Sequence, residues 1–91
     1  MENVNEIGAS ICRRFDGKMV LGPVSEGTPT SVNVLKFCPP GSVFEGIIHT
    51  HPNGAPIPSA QDFLSGLQAD AKLLCVTVPD TGVTRCYERI N

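Results

Sequence analysis

Hydrophobic and polar positions along the chain switch between two periods, and the switch locates most of the elements. Residues 6–14 alternate loosely and stop at Asp16-Gly17, a turn pair, so they predict a strand folded back on residues 18–21. Residues 22–30 hold two prolines and two glycines and predict a loop. Val32 and Val34 alternate with Asn33, which predicts a half-buried strand over residues 31–37, broken by Cys38-Pro39-Pro40-Gly41. Residues 43–49 predict the next strand. After a proline-rich stretch the period lengthens. Ala60, Phe63, Leu64, Leu67 and Ala71 follow helical spacing, with Ser59 as N-cap and Phe63 at the staple position, and predict a helix over 59–71 whose apolar stripe faces the core. Residues 73–78 and 83–90 predict a closing β-hairpin. The expected architecture is α+β, a mixed or antiparallel sheet with one main helix laid on it.

Composition narrows the class. With 91 residues the chain is expected to be one domain, residues 1–91. It is 41% apolar and 18% charged, with a net charge of -2, which gives no basic face for nucleic acid. No apolar run is long enough to span a membrane, and the acidic start Met-Glu-Asn-Val-Asn-Glu lacks the apolar core of a signal peptide. A cytoplasmic location is the expectation. Cys12, Cys38, Cys75 and Cys86 form no C-x-x-C pair, so a zinc ribbon or thioredoxin-like motif is not indicated. In a cytosolic chain they read as small buried apolar residues. If Pro79 and Gly82 close the hairpin on a two-residue loop, Cys75 faces Cys86 at a separation that a disulfide can span. A three-residue loop would place Tyr87 there instead.

The chemistry concentrates in residues 49–62. His49 and His51, two apart at a strand end, point to the same face. Pro52, Asn53-Gly54, Pro56 and Pro58 suit a stiff turn that brings the chain back. Ser59 and Asp62 then enter from the first helical turn. Taken singly, Ser59 and Asp62 are a capping box, and two histidines on a strand are an ordinary surface or core pair. Together, two imidazoles and a carboxylate are a three-donor set that leaves a zinc ion one open position.

His49-x-His51-Pro52, then Ser59 with seven residues between it and His51, and Asp62 with two residues between it and Ser59 resemble the signature of the JAMM (MPN-plus) metalloenzymes. The run is also similar to that of RadC-like bacterial proteins. The resemblance implies a zinc-dependent peptidase or isopeptidase acting on a protein substrate such as a ubiquitin-like modifier or its conjugate. In it His49, His51 and Asp62 would ligate Zn2+, and Ser59 would steady the tetrahedral intermediate. The family also uses a glutamate from an earlier strand as general base. Glu6 opens a strand, Glu6-Ile7-Gly8-Ala9-Ser10-Ile11-Cys12, that looks like the family's glutamate strand. Glu26 lies in the Gly/Pro loop, Glu2 at the terminus, and Glu45 four residues before His49. Four residues at ~3.3 Å each set Glu45 about 13 Å away, too far to share a water.

Members of the family commonly carry a helix before the glutamate strand, whereas Glu6 here follows five residues, and the insertions that shape ubiquitin recognition are expected to be absent or very short. A sheet edge left bare by the missing element would suit a homodimer. Two other classes fit the same residues. One is a non-catalytic interaction module on an MPN fold, the other a RadC-like protein associated with DNA processing.

Overall fold

A computed structural model describes residues 4–52, 54 and 56–90. Asn53 of the expected turn and the candidate Glu2 lie outside them. Strand β1 (Ile7–Arg14) turns at Asp16-Gly17 into β2 (Met19–Leu21), with Cys12 opposite Val20, as the alternation predicts. Gly17 takes a φ of +91°, the left-handed region that glycine enters without strain. A two-residue strand, β3 (Ser25–Glu26), pairs with the start of β1, so residues 22–30 are not purely loop.

Strand β4 (Ser42–Thr50) lies antiparallel to β1 on its other side and parallel to β5 (Leu73–Val78). Strand β6 (Val83–Glu88) completes the order β2-β1-β4-β5-β6. The fold is thus a small α+β domain with a mixed sheet and one helix, α1 (Ala60–Gln68), which makes the crossover between the parallel strands. Val78 pairs with Val83, and Cys75 with Cys86, which is the register of the shorter hairpin loop.

Residues 31–37 are the first departure from expectation. They form no strand, because β1 already has partners along both edges. The segment instead crosses the face of the sheet. Ser10, fully buried in β1, donates its hydroxyl to Leu35 O at 2.7 Å and accepts from Phe37 N at 3.1 Å. One side chain thereby does the work of two ladder bonds.

The helix is the second departure. It ends at Gln68 rather than Ala71, in a Schellman motif: Ala71 N donates to Gly66 O at 2.9 Å and Asp70 N to Leu67 O at 3.1 Å, with Asp70 at φ +57°. Its expected core stripe faces outward. Phe63, Leu64 and Leu67 are 48%, 49% and 61% exposed. The inward stripe is instead Asp62, Gly66 and Ala69, at helical spacings of four and three. At about 100° per residue, fixing Asp62 inward rolls Leu64 roughly 200° away. Gly66, the one buried helix residue, rests against Leu74. The core below is Ile47, Ala71 and Leu74, with Val34, Phe44 and Ala69 packed around them.

All four cysteines are paired. Cys12 bonds Cys38 and Cys75 bonds Cys86, so the reading of buried free thiols is overturned. The first pairing could not be read from spacing, since it depends on residues 31–37 lying over β1. No helix among the described residues is long and apolar enough to cross a membrane.

Candidate metal centre

Strand β4 delivers both histidines. His49 is its next-to-last residue, opposite Gly8 of β1 and Val76 of β5, and is buried at 4% exposure. His51 continues the path, its N–H donating to Thr77 O at 2.8 Å. The two imidazoles meet edge to face with Nε2 atoms 3.0 Å apart. Gly8 makes this approach feasible. A Cβ there would stand 2.6 Å from Val34 Cγ2 and 3.2 Å from His49 Cβ.

Tyr87 fixes the returning turn by donating its hydroxyl to Pro56 O at 2.9 Å. Ser59 then caps α1 in a capping box. Its hydroxyl oxygen accepts from Asp62 N at 3.2 Å, and its own N–H donates to Asp62 Oδ2 at 2.8 Å. That same Oδ2 lies 3.0 Å from His49 Nε2 and 3.1 Å from His51 Nε2. The capping box is therefore present, and its carboxylate oxygen also faces both imidazoles.

Glu6 arrives from a different direction. It precedes β1 and is held by the loop after β3, its N–H donating to Thr28 O at 2.8 Å and its carbonyl accepting from Gly27 N at 2.9 Å. Its next neighbour is tied to the histidine strand, Ile7 N donating to Thr50 Oγ1 at 3.0 Å. Thr50, between the two histidines, thus couples the Glu6 peptide to them, a role its sequence position alone does not announce. Glu6 is 6% exposed, and Glu6, His49 and His51 each offer a ligand atom within 4.8 Å of the others.

Two other candidate glutamates, Glu26 and Glu45, are engaged elsewhere. Glu26 accepts from Asn5 Nδ2 at 2.9 Å. Glu45 is the extra residue of a bulge, with Ile11 opposite Gly46 and Cys12 opposite Phe44, and it pairs with Arg13 at 2.7 Å.

The electrostatics separate the two carboxylates. Burial pushes the Glu6 carboxyl above its ordinary value, with His49 and His51 pulling it down and Asp62 adding to the rise. Burial also pushes Asp62 upward, but the Ser59 N–H and His49 overcome it and hold Asp62 below the usual carboxylate range. One acid is inclined to carry a proton and the other to stay charged.

The donors fit a metal ion. Bonds of ~2.0–2.1 Å around a tetrahedral zinc set donor–donor edges of about 3.3 Å. The triangle of His49 Nε2, His51 Nε2 and Asp62 Oδ2 has edges of 3.0–3.1 Å, and Glu6 stands beside it. A groove of about 410 Å³ leads to this point, between residues 30–34 on one wall and Ser59, Gln61 and Ser65 of the helix on the other. No protein-family model, curated protein or solved structure matches the chain, so the chemistry of these side chains has to carry its function.

Proposed function

We propose that the chain is a zinc-dependent hydrolase of peptide or isopeptide bonds, of the JAMM type, acting on a protein substrate such as a ubiquitin-like modifier or its conjugate. The observation that carries this reading is the meeting of His49, His51 and Asp62 within 3.1 Å beside a buried glutamate drawn from another strand. His49, His51 and Asp62 would hold the ion, and two neutral imidazoles with one carboxylate favour zinc in a hydrolytic site. Zinc bound there supplies Lewis acidity, polarising a carbonyl and bringing the pKa of water toward neutrality.

The protein's own groups supply the rest. Glu6 would take the proton of the attacking water and return it to the departing amine. Burial raises its affinity for a proton, the direction that such an exchange calls for. The Ser59 oxygen already accepts from Asp62 N, which leaves its O–H to donate to an oxyanion. It does so at the N-terminus of α1, where the helix favours negative charge. Asp62, fixed by the Ser59 N–H, stays ionised as a ligand.

Metal analysis tests the first half of the proposal. Purified protein should carry about one zinc per chain, removable by chelator. Hydrolysis of a ubiquitin-like fusion, lost with the zinc and restored with it, tests the second. A zinc-loaded protein that cleaves no such fusion would point instead to the interaction module.

A further inference from the structure

The two disulfides join different kinds of neighbour. Cys75 and Cys86 face each other across β5 and β6, strands already paired at six positions from Leu73↔Glu88 to Val78↔Val83. Cutting that bond leaves a ladder behind. Cys12 lies in β1, whereas Cys38 ends the segment that crosses the sheet face without any ladder. That segment is held to the sheet by the two bonds of the Ser10 hydroxyl, by Leu35 N donating to Ser25 Oγ at 3.4 Å, and by the disulfide. Lys36 Nζ ties it to the helix end, donating to Ala69 O at 2.6 Å. Its first residues, with Thr30 and Ser31, are a wall of the groove that ends at His49 and Asp62.

We propose that the Cys12–Cys38 bond is a redox clamp on this wall, which holds the groove formed when oxidised and releases it when reduced. Cys12 is fully buried and Cys38 only half-buried, so attack falls on the Cys38 sulfur. A small thiol or dithiol reductant attacks as its thiolate, forms a mixed disulfide with Cys38, and expels Cys12 as thiolate. A second thiol resolves the mixed disulfide. Two thiols are oxidised to one disulfide, and Cys12 and Cys38 each gain a proton and an electron. The freed wall then keeps the Ser10, Ser25 and Lys36 hydrogen bonds, the Thr28–Ser31 bridge and the packing of Val34 on the core, but no ladder, and such contacts open locally more easily than a sheet does. The link to activity rests on the groove being the substrate path of the proposed hydrolase, but the clamp itself does not.

The test uses the full chain in dithiothreitol redox buffers, with thiol alkylation and mass spectrometry reporting which bond is open. A Cys75→Ser/Cys86→Ser background isolates the first disulfide, and Cys12→Ser/Cys38→Ser should reproduce the reduced state without reductant. Amide hydrogen exchange at Leu35 and Phe37 should accelerate about tenfold or more on reduction, while Val76 in the core stays within about twofold. Cleavage of the ubiquitin-like fusion should fall about fivefold or more with zinc retained. Unchanged exchange at Leu35 and Phe37 in the reduced protein would overturn the clamp. So would parallel loss of protection at Val76, which would make the bond a staple of the whole fold. If the fusion is cleaved in neither state, the hydrolase reading fails and the exchange data alone decide the clamp.

Discussion

Asp62 Oδ2 lies 3.0 Å from His49 Nε2 and 3.1 Å from His51 Nε2, so one carboxylate oxygen faces both imidazoles at once. Asp62→Asn keeps the size and the capping capacity of the side chain but removes its charge. Zinc affinity, measured by competition with a chromophoric chelator, is expected to fall about tenfold or more, and helix content by circular dichroism to stay near that of the parent. An unchanged affinity would return Asp62 to the role of a cap alone.

Glu6 gives a pH signature in the metal-free protein. An unfolded glutamate releases its proton near ~4.3, whereas burial lets folded Glu6 keep its proton to higher pH. Folding therefore takes up a proton in that window, and this residue's contribution to stability declines as pH rises through it. Glu6→Gln removes that decline. The melting temperature of the variant should gain on the parent as pH rises above about 4.3, measured with chelator present, while any hydrolytic activity of the zinc form is lost.

Gly8 is a packing requirement of the site. An alanine Cβ there meets Val34 Cγ2 at 2.6 Å, Ile48 O at 3.0 Å and His49 Cβ at 3.2 Å. Gly8→Ala should destabilise the protein by about 1–3 kcal/mol in urea unfolding and weaken zinc binding, because His49 or Val34 must move.

The outward helix face separates exposed from buried leucines. Leu67 is 61% exposed and Leu74 only 7%. Leu67→Ser should change stability by no more than about 0.5 kcal/mol, and Leu74→Ala should cost about 2–5 kcal/mol. A large loss for Leu67→Ser would mean that this face is covered in solution.

The hairpin register stood open between two loop lengths, but most of the strands, the closing hairpin and the capped helix start were legible in sequence because each rests on local pattern: Asp16-Gly17 for a turn, Ser59 and Asp62 for a cap. The same holds for bringing His49, His51, Ser59 and Asp62 together, since only a turn separates them. Three features escaped, each for a non-local reason. Residues 31–37 alternate like a strand, but β1 beside them already has partners along both edges, and Ser10 holds them across the sheet face. Phe63, Leu64 and Leu67 repeat like a core stripe, but Asp62, turned toward the histidines, sets the roll of the helix. The Cys12–Cys38 partnership follows from the first of these. Glu6 was reached only through a resemblance. Its physical support, the clamp by Gly27 and Thr28 and the tie from Ile7 to Thr50, is tertiary.

If the proposed metal binds, the oxygen shared between the helix cap and the two histidines would make the start of α1 a sensor of occupancy. Ser59 N–H donates to Asp62 Oδ2 at 2.8 Å, the atom whose electron density a bound cation would draw on. Loading should weaken that hydrogen bond and shift the Ser59 amide resonance upfield, in step with metal occupancy. The backbone amide of a capping residue thus offers a native, label-free gauge of whether the centre is filled.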